Sequence, residues 1–367
     1  MVDKKFRSLT GETVMTLYIG VDFHPYQQTL VWCDTETGET ETHTLSHEVE
    51  QVRAFYEQLK PAIVGVEASS KALWFEHLLA QTNHQLEVGN PLLIRRRATS
   101  RHKSDRRDAE LILDLLMKGE FPSIWRRSPE NTEVLEILKL RDSLVRQQTQ
   151  TLNRLKALAT NVGLLKGRMK ADYFQAQFKE LAVDEVTGLQ RSQLLKMVES
   201  FNERIGQLES WLRQKAENDE RVQLLLTQPG VGYLTALAVV NSIGEMTRFT
   251  HPTKQVPAYL GLEPLERESA GKRKSASISR AGNSITRYLL GQAGHLSARS
   301  DEKLKAFYKR MAKKKARGVA KMATARKLLV KLVIMWRDQI SAAEFDERGG
   351  TVNNARRTQG LKDPQPD

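Results

Sequence analysis

The chain carries a single cysteine, Cys33, in 367 residues. One thiol excludes an intrachain disulfide and a cysteine-based zinc cluster, and it fits a reducing cytoplasm. The eight histidines make no HExxH or similar ligand spacing. No apolar run approaches the roughly 20 residues that a membrane span needs. Residues 1–10 are polar and lack the apolar stretch of a signal peptide. Acidic charge is also short: 44 Asp and Glu against 57 Lys and Arg leave a formal charge of +13. The partner of such a chain is a polyanion, and without a membrane segment nucleic acid is the natural one.

What is present divides along the chain. The length suggests two or three domains, and a hydrophobic content of 40% supplies ordinary cores. Residues 16–34 read as a hairpin, with strands over Leu17 to Asp22 and Thr29 to Cys33 and a turn at His24-Pro25-Tyr26-Gln27. A third strand follows over 41–45. A helix over 47–60 carries Val49, Val52, Phe55 and Leu59 on one stripe. A strand then ends at Glu67, a helix covers 71–81, and Leu86 to Val88 form a short strand that Asn90-Pro91 breaks. Strands followed by helix–strand alternation predict an α/β domain.

The acids of this domain are the informative part. Asp22 and Glu67 each end an apolar strand, while Asp105 and Asp108 lie three residues apart on one face of a helix over 104–117. Acids from two strand ends and a helix can converge at one edge of a sheet, and hard oxygen ligands with room for water and phosphate suit Mg²⁺. Singly, each acid is as simply read as strand-end solvation, a local salt bridge or a charge suited to a helix N-terminus. The set, with this spacing, favours the metal. The surrounding Arg95, Arg96, Arg97, Lys103 and Arg106 are candidate nucleic-acid contacts. This hairpin, helix and acid pattern resembles the ribonuclease H superfamily. Sugar-kinase and actin-like ATPases also place an aspartate after strand one, but Gly and Thr or Ser then follow for phosphate. Phe23-His24-Pro25 stand here instead.

From Glu133 to Val162 the chain is polar and helical, without proline or glycine, and Leu138, Val145, Leu152 and Ala159 recur every seven residues. Leu194, Val198, Phe201, Ile205, Leu208 and Leu212 make a second, cleaner seam. The pair is either a dimerising arm or an antiparallel helical pair within one chain. The segment Pro229-Gly230-Val231-Gly232 between two helical stretches is a helix–hairpin–helix candidate, in which Gly230 and Gly232 let backbone amides approach phosphate; a tight interhelical turn is the plainer alternative.

Residues 267–283 mix base and serine: Arg267, Lys272, Arg273, Lys274, Ser275, Ser277, Ser279 and Arg280. Asn283 or Ser284 caps the helix that follows. A serine here could also attack a phosphoryl group if cations and a metal activate it, although no local His–Asp pair does so. Between Lys303 and Lys331 stand twelve Lys or Arg, among them Lys313, Lys314 and Lys315, and no acid. That predicts a helix pair whose basic face follows a phosphate backbone. The polar end of the chain, residues 346–367, reads as disordered.

Six motifs recur in order: Tyr18-Ile19-Gly20-Val21-Asp22, Gly65-Val66-Glu67-Ala68, Lys103-Ser104-Asp105-Arg106-Arg107-Asp108-Ala109, Pro229-Gly230-Val231-Gly232, Tyr259-Leu260-Gly261-Leu262-Glu263-Pro264 and Ile278-Ser279-Arg280-Ala281-Gly282-Asn283. Together they closely resemble the insertion-sequence 110 transposases, kin of the Piv DNA invertases, over residues 17–335. The resemblance implies an α/β RuvC-like (ribonuclease H-like) domain at 1–125, an all-α coiled-coil arm at 126–220 and a mainly helical C-terminal domain at 221–345. It implies a DEDD acid set at Asp22, Glu67, Asp105 and Asp108 holding Mg²⁺, and a nucleophile at Ser279 that forms a phosphoserine link to DNA. Ser104 stands where the family usually has Thr. Also implied are donor and target double-stranded DNA, a structured guide RNA, a homodimer or homotetramer, and a bacterial, nucleoid-associated location. A partner protomer could supply the acids that act with Ser279. A non-catalytic nucleic-acid-binding protein and a RuvC-like endonuclease are the alternative functions.

Overall fold

The structure is a computed structural model that describes residues 16–69, 71–97, 104–164, 171–269 and 272–349. Lys103 and residues 350–367 of the expected tail lie outside the described residues. The chain divides into two compact units, Met1–Arg126 and Arg127–Asp367.

The first unit opens with an antiparallel meander, β1 (Leu17–Phe23), β2 (Gln27–Asp34) and β3 (Thr40–Ser46), followed by α1 (Val49–Gln58). Then come β4 (Ala62–Glu67), α2 (Leu73–Leu79), β5 (Gln85–Gly89), α3 (Pro91–Arg97) and α4 (Asp105–Met117). The five-stranded sheet has the order β3-β2-β1-β4-β5, with β4 parallel to both β1 and β5. Alternation along β1 splits its side chains between two layers. Leu17, Ile19 and Val21 enter a core with Val52, Tyr56, Phe75, Leu78 and Leu79. The opposite face meets α4. Gly20 and Gly65 are register partners there. A Cβ on Gly20 would lie 2.2 Å from the Ala109 carbonyl oxygen, and one on Gly65 2.6 Å from Leu116. The two glycines let α4 lie directly on the strands.

The expected helical stripes shift slightly. Val49 is exposed and Tyr56 fills the core, because the helix begins at Val49 and turns that residue outward. In α2, Phe75 is buried and Leu73 is exposed. Asn90-Pro91 follows the last residue of β5, Gly89, as expected, and Pro91 also starts a helix, α3, which carries the arginine run in its last turn.

The second unit is mostly helical. It comprises α5 (Pro129–Asn161), α6 (Ala171–Glu180), α7 (Glu185–Glu217), α8 (Glu220–Leu226), α9 (Tyr233–Ile243) and α10 (Pro252–Tyr259). A hairpin of β6 (Pro264–Ser269) and β7 (Lys272–Ile278) follows, then α11 (Ser284–Ser300), α12 (Glu302–Lys314), α13 (Arg317–Asp338) and α14 (Ala342–Glu347). α5 and α7 run antiparallel: Arg141 donates to Glu209 at 2.6 Å and Gln148 to Asn202 at 2.6 Å. Val198, Ile205 and Leu212 of the heptad seam are buried. Of the two readings of the seam, the structure has the intrachain pair. One end of the pair packs on Phe174 and Phe178 of α6 through Leu155 and Ala159. The other end joins the core of α9, α11 and α13 through Val134, Leu135, Leu138, Leu212 and Ala216.

Candidate active site

The acid cluster forms where β1 ends. Phe23 is held among the rings of His47, Trp74 and Phe75, at centroid distances of 4.4, 5.8 and 5.5 Å. Its neighbours Asp22 and His24 therefore share the opposite face, the one toward α4. Asp105 arrives there as the first residue of α4. Ser104 caps that helix, its hydroxyl accepting from the Arg107 amide. His24 Nε2 lies 3.1 Å from Asp22 Oδ2 and 3.3 Å from Asp105 Oδ1. Ligand atoms of these three residues all fall within 4.8 Å of one another.

Burial pushes the Asp22 carboxyl above its ordinary value. The His24 imidazole opposes that rise, while the charges of Asp108 and Asp105 add to it. Three carboxylates act here against the one imidazole, and a divalent cation balances the remaining negative charge. The donor set thus fits such an ion. Asp108 stands one turn along α4 from Asp105 and acts on Asp22 through its charge. Glu67 ends β4 on the same face of the sheet, since Gly20 and Gly65 are register partners and strands alternate. Its carboxylate lies 3.9 Å from Arg95. Among the described residues the closest ligand group is therefore Asp22, His24 and Asp105. His24 is the member that sequence reasoning takes only as a turn residue. Its signal is nonetheless present: two residues after Asp22, it falls on the same strand face.

Ser279 belongs to the second unit, just past β7. Its amide donates to the Glu263 carbonyl at 2.9 Å, and its hydroxyl accepts from the Ala281 amide at 3.5 Å. The turn is unusual: Arg280, a non-glycine residue, has φ +57°, and Gly282 has φ +67°. It interlocks with the loop at 259–262. A Cβ on Gly261 would lie 2.2 Å from the Ala281 carbonyl oxygen, and one on Gly282 2.2 Å from that of Tyr259. Arg287 of α11 ties both loops, donating from Nη1 to the carbonyls of Leu260 at 3.3 Å, Gly282 at 3.2 Å and Ala281. Burial, then the charge of Arg280, lowers the Arg287 guanidinium from its usual range. Asn283 caps α11 by accepting from Ile285.

The other candidate nucleic-acid residues are distributed as follows. Arg95, Arg96 and Arg97 are exposed on α3, with Arg97 3.3 Å from Glu120. Arg106 pairs with Glu110 at 2.8 Å on α4. Lys272, Arg273 and Lys274 form part of β7, with side chains outside the described set. Lys313, Lys314 and Lys315 are exposed at the end of α12. Lys331 departs from the expected basic face. It is buried, 3.0 Å from Asp301 and 3.1 Å from Asp346, because α13 is inside the core at that point. Gly230 also has an internal reason for being glycine. It has φ +89°, and a Cβ would lie 2.4 Å from the Ser297 amide of α11. Gly232 is exposed at the N-cap of α9. Among the described residues, no helix is long and apolar enough to cross a membrane.

Fold and sites define a two-unit protein: an α/β domain bearing an acid–histidine cluster, and a helical unit bearing a serine in a braced turn. Two family profiles match the chain in order, the first running from the α/β unit through α5. The IS110-type DEDD family, described as "Transposase", matches residues 19–163, and the "Transposase IS116/IS110/IS902 family" matches 222–309. A transposase for insertion sequence element IS1111A from Coxiella burnetii is 33% identical, over 52% of this chain and 53% of that protein. A probable family 20 transposase from Pseudomonas aeruginosa is 27% identical, over 65% and 72%. A pilin gene-inverting protein from Moraxella bovis is 27% identical, over 58% and 60%. The first match spans about half the length of its relative. The chain belongs to the IS110 family of transposases.

Proposed function

We propose that the chain is a DNA recombinase of an insertion sequence, which cuts and rejoins strands through metal-binding acids and a covalent serine intermediate. The observation that carries this is the meeting of Asp22 and Asp105, from the first strand and the fourth helix, in one cluster with His24. The strand order, with an antiparallel meander leading into parallel strands, supports a ribonuclease H-like reading of the first unit. Asp22 and Asp105 would hold Mg²⁺ directly, with Asp108 and Glu67 at the same edge. The ion, when bound, supplies charge neutralisation at a phosphate oxygen.

Ser279 attacks the scissile phosphorus in this scheme. An Oγ–P bond forms, the bond to a deoxyribose oxygen breaks, and the serine proton passes to that leaving oxygen. Attack on the phosphoserine by the hydroxyl of the incoming strand reverses these changes, so rejoining needs no ATP. Arg280 supplies nearby positive charge, and the glycine interlock and Arg287 keep the turn fixed while the bond changes. Donor and target DNA, a structured guide RNA and a homodimer or homotetramer are the partners this reading implies.

The test is a denaturation-resistant protein–DNA adduct, mapped by mass spectrometry. Ser279→Ala should abolish adduct and recombination with folding and DNA binding intact, whereas Ser275→Ala and Ser277→Ala keep both. Asp105→Asn keeps size but removes charge, so metal affinity and strand cleavage should fall together. Adduct on another residue sinks the serine assignment. Metal-dependent cutting without an adduct points to a hydrolytic nuclease.

A further inference from the structure

Resting on that reading of the acid cluster as a metal site, we propose that His24 is itself a ligand, beside Asp22 and Asp105, so that the site prefers Mn²⁺-type cations to Mg²⁺. The position of the imidazole is built rather than incidental. Phe23 is clamped between three rings, which turns residues 22 and 24 to the same side. The His24 amide donates to the Gln27 carbonyl at 3.0 Å, and Pro25 restricts the turn that follows. Nε2 thereby lies 3.1 and 3.3 Å from one oxygen of each carboxylate.

These are hydrogen-bond and ion-pair distances, so a cation would take the place of the proton between Nε2 and the carboxylates. A lysine or arginine between two carboxylates could only neutralise them. Imidazole can also bind a metal through its ring nitrogen while the other nitrogen keeps the proton. Carboxylate and water alone suit Mg²⁺. Replacing one oxygen by an imidazole nitrogen moves preference toward first-row transition ions. Glu67, the fourth acid of the family pattern, lies outside the close trio and 3.9 Å from Arg95. In this chain a nitrogen occupies the place beside Asp22 and Asp105 where a further oxygen ligand could otherwise stand.

The experiment uses the full-length protein without DNA. Mn²⁺ binding is read from loss of the free-ion electron paramagnetic resonance signal, and pulsed spectra report nitrogen directly bonded to the ion. Mg²⁺ binding is read by competition. Wild type should show the nitrogen coupling. His24→Asn should lose it and bind Mn²⁺ about tenfold more weakly or worse, with Mg²⁺ affinity changed by no more than about threefold. Absence of coupling in wild type, or its persistence in His24→Asn, overturns the proposal. If Asp22→Asn abolishes binding in that case, the metal site stands without His24. Failure of wild type to bind either ion overturns the site reading along with it. The wild-type spectrum decides the ligand question even if a variant fails to fold.

Discussion

At the scale of single residues, Asp22 shows most clearly what the site costs the fold. Its carboxyl is held above the ordinary value first by burial and then by Asp108 and Asp105, with His24 working the other way. A carboxyl raised in the folded state binds protons more readily than in the unfolded chain. The metal-free protein therefore gains stability as pH falls through the folded-state value of Asp22 and loses it as pH rises. Asp22→Asn removes the charge with little change in shape. Without metal, the variant should be more stable than wild type at neutral pH by about 0.5–2 kcal/mol, as for other substitutions that relieve functional strain. The gain, read by thermal unfolding, should shrink as pH is lowered toward the ordinary aspartate range. Adding Mn²⁺ should reverse the order, raising the melting temperature of wild type and leaving the variant unmoved. A variant less stable than wild type at every pH would mean that Asp22 holds the fold together rather than the ion.

At the scale of elements, the site depends on close approaches that only glycine permits. Gly20→Ala places a methyl against the Ala109 carbonyl and should lift α4 from β1. The expected cost is about 1–3 kcal/mol, with loss of metal affinity because Asp105 moves away from Asp22; calorimetry and Mn²⁺ titration on one sample read both. Gly282→Ala meets a backbone oxygen and an unfavourable φ, at about 2 kcal/mol or more. Adduct formation should drop on the order of 100-fold, since small misplacements of a reacting group carry that penalty.

Much of this is legible in the sequence. The strands that end near Asp22 and at Glu67 and the acid spacing on α4 follow from local rules, and the structure has each of them. Other elements are hidden. Asn90-Pro91 reads as a break, yet the Asn90 side chain accepts from the amides of Leu92 and Leu93, and proline suits the first helical turn. The β6–β7 hairpin has few β-branched or aromatic residues, so its basic and serine-rich sequence does not announce a strand. His24 is hidden for a different reason: its only signal is the two-residue step from Asp22, and the turn residues around it mask that step.

At the scale of the molecule, not every cation of the expected basic segment is at the surface. Lys331 belongs to the interior, whereas Lys313, Lys314 and Lys315 stand exposed at the end of α12, where they also suit the helix dipole. Neutralising those three together should weaken DNA binding for all sequences alike. The log–log salt dependence should flatten by about one unit for each phosphate left without its cation. An unchanged slope would mark them as helix-end charges only. The long α5–α7 pair makes its seam within the chain, so substituting Val198 or Ile205 by Ala should lower the stability of the monomer by about 1–3 kcal/mol. A change in subunit association alone, with monomer stability untouched, would contradict that packing.

Lys331 has one more consequence, and it concerns the last described helix. Its ammonium is shared by Asp301, thirty residues earlier, and by Asp346, fifteen residues later. Asp346 sits in α14, the last helix described, and the ring of Phe345 beside it lies 5.1 Å from the same ammonium. Without α14, Lys331 keeps Asp301 but loses both Asp346 and the ring of Phe345. A message truncated shortly before residue 346 would yield a protein holding every group proposed for strand exchange, but a core with an under-neutralised charge. The last described helix thus completes the charge balance around one buried ammonium of the core.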